Sequence, residues 1–148
     1  MLQLDISYAQ FGVRPPVTKP IPEFYIEMGG ENMRQMVSDH YDGIKESEIA
    51  HLFPQNGAEF EEAKEHSADF FIQICGGPAY FSQKRGAPQM IGRHAPFAIT
   101  PKAREVWLEL YKPVLLALRD KKGVTETSLQ SFWNYLNIFS IWMINTNE

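Results

Sequence analysis

The chain has a single cysteine, Cys75, in 148 residues. That excludes an intramolecular disulfide and any cage of several cysteines around zinc or an iron–sulfur cluster. It suits a reducing compartment, and the cytoplasm is the expected location. The opening stretch, MLQLDISYAQFGVRPP, has no basic segment followed by an apolar run, so no secretory leader is read there. Long hydrophobic runs are also missing. The longest apolar tract, from Phe132 to Ile144, is interrupted by Asn134, Asn137 and Ser140 and is too short to span a bilayer. Excess positive charge is absent as well: 14 Lys and Arg stand against 18 Asp and Glu, a formal charge of −4. Nucleic acid and anionic membrane are therefore not expected as partners, because both require a basic face. Motifs for cradling phosphate, binding nucleotides, activating a serine or cysteine nucleophile, or attaching haem covalently are not found.

What the chain does have is aromatic mass. Ten Phe, six Tyr and three Trp make 13% of the residues, enough for a bulky core or a large apolar pocket. With 44% hydrophobic and 22% charged residues, the composition is that of an ordinary globular domain rather than a disordered chain. The expected organisation is an N-terminal extension over 1–27 and one domain over 28–148. Pro15, Pro16, Pro20 and Pro22 make residues 1–23 an extended arm with no helical period.

Beyond Gly29-Gly30 the pattern is helical, and the expected fold class is all-α. Met33, Met36, Val37, His40, Tyr41 and Ile44 share one helical face. A turn is expected at Leu52-Phe53-Pro54, then a second helix from about Glu59 to Cys75, stopped by Gly76-Gly77-Pro78. The inner face of that helix reads Phe60, Ala63, Ser67, Phe70, Phe71 and Ile74, large at the ends and small in the middle. Such a hollow suits a helix that covers a flat ligand. Residues 79–99 read as loop with one short helix around Gln89–His94. Thr100-Pro101 opens a long helix containing Pro113; Gly123 ends it, and Thr125 caps the last helix.

Of four histidines, His40, His51 and His66 read as solvated or half-buried side chains. His94 sits between Gly92 and Pro96 among apolar residues, and the residues alone leave two readings, a metal ligand or a hydrogen-bonded core histidine. Tyr41 and Trp107 likewise read as plain core aromatics or as something more.

The order Gly76-Gly77-Pro78-Ala79-Tyr80-Phe81, Gly86-Ala87-Pro88, Arg93-His94-Ala95-Pro96-Phe97 and Trp107 resembles the truncated (2/2) haemoglobins, most closely their second group. Gly29-Gly30-Glu31, Asp39-His40-Tyr41 and Leu52-Phe53-Pro54 agree with it. The likeness is close over about 28–118 and continues by pattern through the last helix. It implies a globin-like two-over-two helical sandwich and one non-covalent haem b, with His94 the proximal ligand of a five-coordinate iron. It also implies distal donors at Tyr41 and Trp107, an aromatic wedge at Phe53, small distal residues at Ala63 and Ser67, and haem contacts at Phe81 and Phe97. His66 is the alternate if the register of the second helix is shifted. A tyrosine of the family that holds a haem propionate is Phe81 here, and an arginine-rich stretch is reduced to Arg93. That leaves Arg93 as the propionate candidate, with Lys84 and Arg85 as alternates. The function so implied is oxygen binding or transport, with O2, CO, NO or peroxide as ligands. The alternatives are NO dioxygenation or peroxidase-like turnover with an external reductase, or a haem-free helical interaction domain.

Overall fold

The computed structural model describes residues 1–147, and no strand occurs among them. Six helices follow one another: α1 (Pro22–Lys45), α2 (Gly57–Ile74), α3 (Tyr80–Arg85), α4 (Met90–His94), α5 (Pro101–Lys122) and α6 (Glu126–Met143), with a 3-10 turn at Ala50–Leu52. The layers are α1 on α2 and α5 on α6, with α1 also packed on α5 and α6; α3 rests on α2 and α4 on α6. This is the expected all-helical two-over-two sandwich.

Local chemistry explains most of the helix ends. Thr100 Oγ1 accepts from Ala103 N (3.0 Å) with Pro101 at the first turn, and Thr125 Oγ1 accepts from Ser128 N (3.3 Å). α2 closes with both bonds of a Schellman motif: Gly77 N donates to Ile72 O (2.8 Å) and Gly76 N to Gln73 O (3.2 Å). A Cβ on Gly77 would lie 2.7 Å from both Ile72 and the Tyr25 ring, so only glycine fits there.

Two features differ from the sequence reading. The first helix begins at Pro22, seven residues before Gly29, and its two parts join at Gly29 with φ 72° and ψ 163°. That break puts Phe24 and Met28 out of phase with the Met33–Ile44 face, which hides the earlier turns from a periodicity search. α3 was read as loop; it is held by a tertiary contact, Gln73 donating to Ser82 Oγ (2.8 Å) and accepting from Ser82 N (2.9 Å). As expected, α5 runs through the exposed Pro113 and stops at Gly123.

The core is a lattice of rings. Phe132 stacks on Phe24 (4.6 Å between centroids) and meets Phe71 and Tyr111 edge-on, while Phe70 stacks on Phe139 (5.5 Å). No helix is long and apolar enough to cross a membrane among the described residues.

The N-terminal arm lies along α6. Leu2, Leu4 and Ile6 alternate inward and, with Val17, pack against the core. The backbone of the arm satisfies groups that the helices leave open. Asp5 O accepts from Trp133 Nε1 (2.9 Å), Pro15 O from Trp142 Nε1 (2.7 Å) and Ser7 O from Arg104 Nη1 (3.0 Å). Trp133 is 1% exposed, so its indole N–H needs that acceptor. Burial lowers the pKa of the Arg104 guanidinium to about 10, and its other donors are taken by Ser140 and Asn137.

Removing residues 1–19 uncovers four aliphatic side chains, each about half of a full burial. The loss is expected to be about 3–5 kcal/mol of unfolding free energy. Urea unfolding followed by circular dichroism measures it, and an unchanged midpoint would mean that the arm does not hold the fold.

Candidate functional site

Tyr41, on the inner face of α1, sits where two hydrophobic clusters meet. The larger cluster is built on α1, α2, α5 and α6, and the smaller on Ile44, Ile49 and Ala103; Tyr41 and Trp107 pack against both. The Tyr41 ring meets Phe53 edge-on at 5.3 Å and Phe60 at 5.6 Å, and its hydroxyl is hydrogen-bonded with Ser67. Burial raises the Tyr41 pKa, with the Ser67 contact opposing, so the phenol stays protonated and able to donate. Tyr41, Phe53, Ala63, Ser67 and Trp107 are all half-buried, whereas Phe60, Phe70, Leu108 and Tyr111 around them are buried. The small centre of α2 thus lies at a half-buried place beside fully buried neighbours.

The three tryptophans separate by the use of their N–H groups. Trp133 and Trp142 both donate to the arm. Trp107 packs against both clusters and stands edge-on to His40 (5.1 Å) and Tyr111 (5.1 Å). A half-buried indole N–H is a donor that a polar ligand beside it can use.

His94 is the last residue of α4, and its Nδ1 lies 2.7 Å from Met90 O. A carbonyl only accepts, so Nδ1 carries the proton and Nε2 carries the lone pair. Burial lowers the His94 pKa, against the raising effect of the Met90 bond, which keeps the ring neutral. A neutral imidazole with one nitrogen tethered to backbone and the other free is the form that coordinates a metal. Arg93 donates from Nε to Pro88 O (2.6 Å) and from Nη2 to Arg85 O (2.8 Å) and Ala87 O (3.1 Å), closing the α3–α4 loop. Its guanidinium also covers the buried Phe81 ring at 5.0 Å, and Phe81 meets Phe70 at 6.0 Å. Lys84 is engaged by Asp69 (3.1 Å) and Glu65 (3.3 Å).

Two expectations are corrected. Phe97, whose apolar ring reads from the sequence as a core residue alongside Phe53, Phe70 and Phe71, is 45% exposed, because it lies in the α4–α5 loop beyond Pro96 rather than on a packed helix. His40, expected to be solvated or half-buried, is 1% exposed. It stacks on Tyr111 (3.6 Å), stands edge-on to Trp107 (5.1 Å) and donates from Nε2 to Trp107 O (2.9 Å). Its Nδ1 is buried without a partner, and burial lowers its pKa to about 3. The signal was present in the sequence, since His40 falls in the same helical face as Met36, Val37 and Ile44. His66 lies 3.6 Å from Glu62 through Nε2, with its Nδ1 buried and unpartnered.

A model of the bacterial-like globin family matches residues 23–145, and the chain belongs to that family. It is similar to two-on-two hemoglobin-3 of Arabidopsis thaliana, 34% identical over 88 residues that make 60% of this chain and 49% of that one. The chain thus spans about half the length of that plant relative. Group 2 truncated hemoglobin YjbI of Bacillus subtilis is 25% identical over 124 residues, covering 84% of this chain and 89% of the relative. Among solved structures, phosphate-bound Hell's gate globin IV superimposes with a TM-score of 0.83 at 36% identity, covering 96% of this chain and 87% of that one. Its similarity to relatives named group 2 truncated hemoglobins, together with the globin family model, implies a haem cofactor. The residues present fit that group: half-buried aromatic side chains at Tyr41, Phe53 and Trp107 for a flat apolar ring, and a neutral imidazole whose Nδ1 is held by Met90 O.

The buried His40 makes a prediction in acid. With a folded pKa near 3 and an unfolded one near 6.5, its contribution is fully present above pH 6.5 and is lost as pH falls towards 3. His40→Phe keeps the stack on Tyr111 and removes the titration. The loss of stability between pH 7.0 and 4.5 should shrink by about 2–3 kcal/mol, at about 1.4 kcal/mol per pH unit. Equal losses in urea unfolding for the two proteins would show that His40 does not titrate in this way.

Proposed function

We propose that His94 is the protein ligand to the iron of a bound haem b. O2 or another diatomic ligand binds on the opposite face, beneath Tyr41 and Trp107. The observation that carries this reading is the tether of His94 Nδ1 to Met90 O, which leaves Nε2 as a free, neutral donor of a lone pair. When bound, haem supplies a five-coordinate iron with one open position for a small ligand. Everything else is the work of this chain. Phe53 forms an aromatic wall beside Tyr41, and Ala63 and Ser67 keep the space above the ring clear. Phe81 and Phe97 supply apolar contact, with Arg93 the candidate partner for a propionate.

Tyr41 and Trp107 orient and hold the ligand. Ser67 is hydrogen-bonded with the Tyr41 hydroxyl, and the half-buried Trp107 brings an indole N–H. The aromatic surround excludes water, so a donor aimed at a ligand that gains negative charge is worth about 1.5–3 kcal/mol. The protein is proposed to act in the cytoplasm, and any redox turnover by it draws electrons from an external reductase.

Tyr41→Phe and Trp107→Phe are each expected to speed O2 release by about 10- to 150-fold, while CO release changes much less because CO gains less charge. Flash photolysis and stopped-flow mixing measure both. Parental O2 release in both variants, or equal shifts for O2 and CO, would contradict the electrostatic role. Rapid oxidation of the parent in air would favour peroxidase-like turnover or NO dioxygenation over oxygen binding. His94→Gly should lose the haem or hold it loosely, with free imidazole partly restoring it. Unchanged spectra in that variant would move the assignment to His66.

A further inference from the structure

α4 carries His94, yet none of its five residues is buried. Beneath it, Met90 and Ile91 line an apolar groove of about 320 Å³ with Val17, Phe139, Trp142 and Met143. Packing is therefore loose where the iron ligand is mounted, and apolar contact alone does not fix the height or tilt of the imidazole. At the front, Arg93 fastens the chain before the helix to carbonyls of the α3–α4 loop. At the back, one residue from a distant part of the sequence performs the matching task. Asn145, two positions past the end of α6, donates from Nδ2 to His94 O (3.2 Å) and to Phe97 O (2.7 Å). Its Oδ1 accepts from Ile99 N (2.9 Å), and its own backbone N donates to Ile99 O (3.0 Å). Both Nδ2 hydrogens and the side-chain oxygen are thus spent on the segment from His94 to Ile99, which no regular helix covers.

We propose that Asn145 is a positioning residue for His94: the C-terminal segment sets the seat of the iron ligand by clamping the carbonyl of His94 and the loop that follows it. This rests on the reading of His94 as the protein ligand to iron. The bond from His94 Nδ1 to Met90 O sets the rotation of the ring, and Asn145 sets the position of the backbone that carries it. Together they form an outer layer around the ligand, of the kind whose loss weakens metal sites about 10- to 100-fold.

The experiment uses the full chain loaded with haem. Asn145→Ala deletes all three side-chain bonds. Asn145→Asp has nearly the same shape and retains the acceptor for Ile99 N, but it turns both donations into repulsion between a carboxylate and two carbonyls. Two readouts are taken: the rate of haem loss to an excess of a haem-scavenging apoprotein, and the iron–histidine stretching band in the resonance Raman spectrum of the reduced protein. Asn145→Ala is expected to lose haem about 10- to 100-fold faster and to shift or broaden the band. Asn145→Asp should be at least as severe despite its shape. A band at the parental frequency with parental haem loss in both variants would overturn the proposal, and so would an aspartate variant that behaves as the parent while the alanine variant does not, since that pattern means packing alone. His94→Gly separates the two readings. If the band survives in His94→Gly, the assignment of the iron ligand fails; if it vanishes there and stays unmoved in both Asn145 variants, only the role of Asn145 fails. Far-UV circular dichroism of each variant keeps loss of fold apart from loss of positioning.

Discussion

The hydrogen bond from His94 Nδ1 to the Met90 carbonyl is the interaction on which the site turns. It assigns the proton to one ring nitrogen, leaves the lone pair on the other and holds the ring at a set rotation on a helix of only five residues. The surrounding architecture supplies what such a short helix lacks. α6 runs beneath it, the arm packs along α6, and the α3–α4 loop is closed by Arg93. Without these supports a histidine on an exposed turn would sample many positions, and a metal held at one protein atom would be held weakly.

On the other side of the hollow the constraint is reversed. An aromatic-rich core tends to fill every space, because close packing is favourable. Here the residues at the centre of α2, Ala63 and Ser67, are small and half-buried, and Ser67 meets the wall of Tyr41, Phe53 and Trp107 through the Tyr41 hydroxyl. Polar groups in that wall are placed with economy. Trp133 and Trp142 spend their N–H groups on the arm, and Tyr41 is hydrogen-bonded with Ser67. His40 fixes the backbone of Trp107 from behind while its own ring stays neutral in a dry setting. Tyr41 and Trp107 thus carry two donors within one aromatic cluster.

Much of this was legible in the sequence, and the physical reason is locality. Thr100-Pro101, Gly76-Gly77 and Gly123-Thr125 act within a few residues of themselves, so their effects on helix ends can be read without a fold. The small centre of α2 and the confined setting of His94 are also local patterns. The family resemblance supplied Tyr41, Phe53 and Trp107 as a set, and the structure clusters these three together. What escaped was decided by distant partners. The contacts of the arm could not be read locally, because its acceptors serve Trp133, Trp142 and Arg104, more than ninety residues away. α3 forms on the strength of Gln73, Phe97 is exposed because of where its loop runs, and His40 is buried because Tyr111 and Trp107 cover it. Histidine composition argued for solvent at position 40, while helical phase argued for the core, and phase was the better guide.

A diffraction structure of the haem-loaded chain tests the central claim most directly. The account predicts His94 Nε2 bonded to iron, Nδ1 still on the Met90 carbonyl, and the Tyr41 hydroxyl and Trp107 indole on the opposite face of the ring. Iron bonded to His66, or a haem seated outside the hollow bounded by Tyr41, Phe53 and Ser67, would contradict it.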